Sequence, residues 1–323
     1  MLCWHKFGES ESVPKTVFLV VVVAAILHFV LFVVAMLSIG SASILVRLSM
    51  ASGTACAFWR LAISSVFLLI VGLRNREQRR PAVVSGVCRR GKALHLTLAG
   101  GSLAAHFILW MDSLFRVPVA VSVTLVVVYP IYLALVELFQ EKKLHLVAIL
   151  TGLVVGFTGV VLLFREALIS KKLDVVGVLE SAVAAILAAV YFYVGKVLRQ
   201  SMDLRSYALA VYSKASLVVL VYSLIVGDNV FSYLPRSWHW FVLLALIPML
   251  GGHTVMNYLL KFYRSATVTS IALAEPIIAT VLAAAILNEK IEPIHMLSMA
   301  LVLSGVAITI AVEMAEKQGV FRV

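Results

Sequence analysis

Apolar residues run along this chain in long blocks from Val17 nearly to the C-terminus, each closed by a short polar stretch. A bilayer core takes roughly 20 apolar residues per helix. The blocks predict ten spans, at about 17–48, 54–73, 94–115, 119–139, 144–164, 175–199, 206–227, 239–262, 267–288 and 293–313. The first is overlong, so it starts outside lipid, tilts, or bends at Gly40. Connections are short except for the basic "RNREQRRPAVVSGVCRRGK" after span 2 and the aromatic "DNVFSYLPRSWHW" before span 8. Only helices and closed barrels cross lipid, and blocks of this length mean helices. The expected class is therefore all-α integral membrane.

Composition agrees. Of 323 residues, 62% are hydrophobic and 13% charged, with mean hydropathy +1.05. No soluble globule of this length hides so much apolar surface. The net charge of +11 could suggest nucleic acid. The basic residues are instead scattered between apolar blocks without an aromatic-interleaved stripe, so they read as topology determinants. Counting Lys and Arg by loop, with Arg76, Arg79, Arg80, Arg89 and Arg90 weighing most, puts both termini in the cytoplasm. The expected location is the cell membrane. Cys3, Cys56 and Cys88 show no paired spacing, hence no disulfide framework and no metal site. The block Val17–Leu37 is too long for a typical signal core, although "SIGSAS" mimics a cleavage site.

The chain repeats itself. "AAHFILWMDSLF" at 104–115 parallels "GGHTVMNYLLKF" at 251–262, and "VVVYPIYLALVELFQEKKL" parallels "IALAEPIIATVLAAAILNEKI". His106 stands 24 residues before Pro130, and His253 stands 23 before Pro276. Gly159 and Gly305 each follow their proline by 29. More loosely, "FWRLAISSVFLLIVG" resembles "VYSKASLVVLVYSLIVG", which sets Arg60 near Lys214 and Arg47 near Lys196. Two five-span units follow, at 17–164 and 175–313, flanked by termini 1–16 and 314–323 and joined by the linker 165–174. An odd span number inverts the second unit. Inverted repeats mark secondary transporters, with the substrate site where the halves meet near midplane.

Aromatic-Arg in "FWRLA", a mid-span proline, a terminal Glu-Lys and spaced small residues in spans 5 and 10 resemble the EamA domain. Two tandem copies resemble the drug/metabolite transporter superfamily. The second copy is the more typical, because Pro130 to Glu141 spans 11 residues against 13 from Pro276 to Glu289. The resemblance implies a carrier for amino acids, other small metabolites or drugs, with spans 1, 3, 4, 6, 8 and 9 around a central cavity. Some relatives carry nucleotide sugars or phosphosugars.

Candidate residues follow from what is costly in lipid. Pro130 and Pro276 free carbonyls near Val126 and Ala272, giving either packing kinks or hinges. Glu275 is a carboxylate inside a span. It is either a neutral structural group or a site for proton coupling or a substrate amine. Tyr129 is its counterpart and cannot do the same work. His106 with Trp110, and His253 with Asn257, share a face at i,i+4 and are candidate cavity walls. No carboxylate or cysteine accompanies the histidines at metal-ligand spacing. Arg47, Arg60 and Lys214 either snorkel to headgroups or serve as a gate or anion contact. Glu141 and Glu289, beside lysines, read as anchoring ion pairs, and Asp112 with Arg116 as a pair near the outer surface.

The chain carries no HExxH, GxSxG, DDxxD or GxGD, which argues against an embedded enzyme, and no filter-like segment that would suggest a channel. The expectation is a multi-pass exporter of small metabolites (amino acids, amines or drug-like compounds) working by alternating access without a cofactor. The rivals are a membrane-embedded enzyme and a sugar-phosphate or nucleotide-sugar carrier. Its expected partners are a small-molecule substrate, the lipid bilayer and a proton as candidate coupling ion, with no nucleic acid. The chain acts as a monomer or homodimer.

Overall fold

Lipid offers no hydrogen bonds to a bare backbone, so the chain satisfies its amides within helices. The computed structural model describes residues 15–74, 89–169, 173–278, 280–281 and 292–317, and among these there is no strand. The first half comprises α1 (Lys15–Gly40), α2 (Ala42–Ser49), α3 (Gly53–Arg74), α4 (Arg89–Arg116), α5 (Val119–Val126), α6 (Tyr129–Glu141) and α7 (Leu144–Leu163). A short α8 (Arg165–Leu168) lies in the expected linker. The second half comprises α9 (Val175–Arg199), α10 (Leu204–Val226), α11 (Leu234–Leu244), a π-helix Ala245–Thr254, α12 (Val255–Leu259), α13 (Ser265–Thr269), a 3₁₀ turn Ser270–Ala274 and α14 (Pro293–Lys317). Among the described residues, nine helical stretches are long and apolar enough to cross a bilayer. A shorter apolar stretch, Ser265–Ile278, opens the expected ninth span. The rest of that span, with Glu289 and Lys290, lies outside the described residues, as does the basic linker 75–88.

The overlong first block resolves by breaking. α1 ends at Gly40 and α2 restarts at Ala42. A Cβ on Gly40 would lie 2.1 Å from Ile278 Cδ1, so glycine lets α1 touch the helix that follows Glu275. Span 8 forms where expected, at Pro235–Leu259. Pro248 sits inside it, and the backbone absorbs the proline as a ten-residue π-helix.

Packing repeats across the halves. α7 and α14, counterparts in the repeat, run antiparallel: Gly152 faces Gly305 and Thr309, while Gly159 faces Ser298 and Val302. A Cβ on Gly305 would come within 2.4 Å of Gly152 O and Gly156 N. Small residues here bring backbones together, which is how helices associate where burial against lipid gives no driving force. α4 packs on α9, α1 on the π-helix, α3 on α10 and α6 on α13. This set of partners is unchanged when the two halves are exchanged. With antiparallel counterparts, that is a two-fold relation with the second unit inverted.

The polarity of a soluble protein is reversed. Leu224, Ile225, Phe139 and Leu144 point outward, while Arg60, Tyr191, Tyr207 and Tyr212 are wholly buried.

Candidate functional site

Both proline-bearing spans break partway along their length. α5 stops at Val126 and α6 starts at Tyr129, so Pro130 falls in the first turn, where a missing N–H costs nothing. In the second half α13 gives way to the 3₁₀ turn, and helix resumes at 275 with Pro276 in the same relative place. The Glu275 amide donates to Ala272 O, so the carbonyl expected to be freed there is taken up again.

Between these breaks lies a buried cluster. Arg60, on α3, is 0% exposed. Its guanidinium carbon sits 4.1 Å from the Phe107 ring centroid. None of its three side-chain nitrogens has a hydrogen-bond partner among the described residues. Phe107 is a hub, with ring centroids 5.2 Å from both His106 and His253. His106 Nδ1 lies 2.9 Å from Ala184 O, and a carbonyl only accepts, so that nitrogen carries the proton. The His106 ring lies parallel to Trp110 at 6.0 Å. His253 stacks on Phe192 at 5.8 Å, and Phe192 stacks on Tyr129 at 5.6 Å. Asn257 Nδ2 donates to Tyr191 Oη at 2.6 Å and Tyr212 Oη at 3.3 Å. Glu275 is 4% exposed, and its Oε1 has no hydrogen-bond partner among the described residues. Ser43 donates to that carboxyl, and Arg60 bears on it by charge without a hydrogen bond.

Seven of the sequence-predicted residues thus share one cluster: Arg60, His106, Trp110, Tyr129, His253, Asn257 and Glu275. Pro130 and Pro276 adjoin it. Arg47 and Lys214 do not. Arg47 is exposed at the end of α2, its guanidinium carbon 5.5 Å from the Phe115 ring centroid. Lys214 is exposed on α10 and donates to Thr97 Oγ1 at 3.2 Å. The repeat aligned Lys214 with Arg60, but helix α10 turns it outward. Sequence reasoning missed Phe107, Tyr191, Phe192 and Tyr212. The run "YFYVGK" on α9 was the available signal.

Ionic networks close both ends of the bundle. At one end Arg264 forks onto Glu141 at 2.6 and 3.1 Å and lies near Glu313 and Glu316. Partial burial opposes its charge, but these carboxylates hold its pKa above the ordinary arginine value. Glu137 Oε1 accepts from Ser265 N at 2.9 Å, Ser265 Oγ at 2.5 Å and Ala266 N at 3.3 Å. At the other end Arg116 pairs with Asp112 at 2.6 Å, as their spacing predicts, and with Glu180 at 3.2 Å. A groove of about 740 Å³ opens between α4, α6 and α9, lined by His95, Tyr132, Gln140 and Tyr193 among aliphatic side chains. None of the expected cavity residues lines it.

A solved crystal structure described only as that of a protein superposes with TM-score 0.70 over 88% of this chain and 98% of its own, at 15% identity, which shows the fold. No curated protein matches the chain. The model of the EamA-like transporter family matches residues 175–311, the half whose pattern is the more typical. Residues 175–311 thus match the EamA-like transporter family, within a multi-pass, all-helical membrane protein.

Proposed function

We propose that the chain is a secondary carrier that exports a small polar metabolite by alternating access, with its binding site at the buried cluster. One observation carries this reading. Seven buried polar atoms of the cluster have no hydrogen-bond partner among the described residues: Arg60 Nε, Nη1 and Nη2, Trp110 Nε1, His253 Nδ1, Asn257 Oδ1 and Glu275 Oε1. Buried polar groups in folded proteins are nearly always satisfied. A dense group of exceptions is accounted for by a solute that satisfies them in turn.

The rest of the mechanism builds on the two-fold relation. Two packed units, 17–164 and 175–313, rock about the cluster, and the breaks before Pro130 and Pro276 act as hinges. The Arg264 and Arg116 networks open alternately. Glu275 is the group proposed to couple a proton, since a carboxyl inside a span is costly and marks an ion or proton path. The protein sits in the cell membrane with both termini cytoplasmic, as a monomer or homodimer. A sugar-phosphate carrier is disfavoured: Arg60 is the one arginine or lysine in the cluster, with Arg47 and Lys214 turned away.

The test is counterflow. Proteoliposomes loaded with unlabelled metabolite pools are given labelled amino acids, amines and neutral metabolites outside. Saturable uptake above protein-free vesicles, lost in Arg60→Gln and in Glu275→Ala, is expected. Uptake equal to protein-free vesicles across the panel would overturn the carrier reading.

A further inference from the structure

We infer that the groove between α4, α6 and α9 binds one anionic phospholipid, an acyl chain lying along it and the phosphate at its polar end. None of the buried cluster lines that groove, so its occupancy is independent of the transport reading. α9 is the floor and packs on both α4 and α6. Ile186, Val190, Tyr193 and Val197 follow one another along a single face of α9. Leu98, Val136, Ile186 and Val197 are exposed, so the groove opens on the outside of the bundle, where lipid is the solvent. Its volume of about 740 Å³ is that of a ligand pocket.

Length and polarity select the occupant. Ile186 and Val197 are 11 residues apart, a rise of about 16 Å, or half of a ~30 Å hydrocarbon core. The groove therefore spans one leaflet. Polar groups gather at one end of it: His95 near the start of α4, Gln140 near the end of α6 and Tyr193 in the last two turns of α9. Gln140 Nε2 donates to Tyr193 Oη at 2.8 Å, which leaves the tyrosine proton for a phosphate or ester oxygen. Charge at this end is positive. α4 opens with Arg89, Arg90 and Lys92, and Lys92 precedes His95 by one turn on the same face. The carboxylate next to Gln140, Glu141, is already held by Arg264 and Lys143. On the proposed topology this end meets the cytoplasmic leaflet, whose surface is negative. At the deep end Tyr132 and Leu133 lie just past the Pro130 break, so a seated chain also fixes α6 against α4.

The experiment is native mass spectrometry of the purified full chain in detergent, titrated with dioleoylphosphatidylglycerol or dioleoylphosphatidylcholine. One phosphatidylglycerol is expected to bind about 5-fold or more tighter than phosphatidylcholine, the effect of one cation beside an anionic headgroup. Lys92→Gln should weaken phosphatidylglycerol by about 5-fold and leave phosphatidylcholine unchanged. Val190→Trp fills the groove and should weaken the first bound lipid of either kind by about 10-fold or more, for which losing two buried methylenes suffices. Leu217→Trp, on the exposed face of α10, should change neither. Should Val190→Trp fail to fold, photo-crosslinking of the wild-type chain decides. Phosphatidylglycerol with a diazirine in one acyl chain, diluted in phosphatidylcholine vesicles, should label 132–140 and 186–197 above all other segments. Labelling spread evenly over the spans, equal affinity for the two lipids, or wild-type lipid binding by Val190→Trp overturns the assignment. Loss of counterflow in Val190→Trp with lipid binding unchanged overturns it too, and would make the groove a lateral entrance for solute.

Discussion

The Arg60 guanidinium lies 4.1 Å from the centroid of Phe107 and makes no hydrogen bond among the described residues. On the proposed carrier reading, this contact sets function against stability. A cation over a ring is worth ~2 kcal/mol when desolvated. That is less than the cost of burying the charge, and replacing buried charges by apolar groups of similar volume is often stabilising by ~1–4 kcal/mol. Arg60→Met is therefore expected to melt at or above the wild-type temperature in detergent while losing uptake in proteoliposomes. A variant that is both less stable and fully active would contradict the role given to Arg60.

Gly305 and Gly101 provide a matched pair for the helix interface. A Cβ on Gly305 meets backbone atoms of Gly152 and Gly156 at 2.4 Å, and backbone cannot rotate away. A Cβ on Gly101 meets nothing within 4 Å. Gly305→Ala should cost ~1–3 kcal/mol or more by overpacking and lower the yield of folded protein. Gly101→Ala should be neutral or slightly stabilising, because alanine favours helix. Size-exclusion profiles and melting curves separate the two. Equal behaviour would mean that α7 and α14 are not in close contact.

Nine of the span positions and the breaks at Pro130 and Pro276 are legible because each rests on local sequence, apolar length or a missing N–H, and the nearness of His106 to His253 is legible from the repeat. Depth and facing are not. Arg60 and Lys214 align in the repeat, yet one is wholly buried and the other exposed, because alignment fixes register but not rotation about the helix axis. The π-helix around Pro248 has no signature in "ALIPMLGG" and is visible only in the backbone. Glu137 lay unnoticed near the end of an apolar span, since its partners, Ser265 and Ala266, are 128 and 129 residues away. Arg264 likewise read as a topology marker until Glu141, Glu313 and Glu316 were found around it.

Arg264 and Lys143 share Glu141, which gives a second matched comparison. The Arg264 side chain is 15% exposed and contacts three carboxylates, whereas the Lys143 side chain is 53% exposed and contacts one. Exposed pairs contribute ~0–1 kcal/mol, while removing one partner of a buried pair costs ~3–5 kcal/mol. Arg264→Ala should therefore destabilise by a few-fold more than Lys143→Ala in melting experiments. It should also raise the labelling rate of a cysteine placed at Ser265 by a membrane-impermeant maleimide, since α13 loses its tether. Unchanged labelling would remove Arg264 from the closing network.

Asn257 and Tyr191 test whether the polar interior is a connected network. Asn257 Nδ2 donates to the Tyr191 hydroxyl at 2.6 Å, and both residues are wholly buried. Tyr191→Phe strips that acceptor and leaves a buried amide with the longer 3.3 Å bond to Tyr212, at a cost of ~1–3 kcal/mol. Asn257→Leu in the wild-type background removes the donor, at a similar cost, while the Tyr212 hydroxyl keeps its bond to Thr254 Oγ1 at 2.9 Å. If the pair acts as a unit, the double variant is less destabilised than the sum of the two, by ~0.5–3 kcal/mol of coupling. The cycle needs four melting curves under one detergent condition. Strict additivity would show that the two groups do not interact, and His253, which sits 6.0 Å from Tyr191, would then have to be held in place by its ring contacts with Phe107 and Phe192.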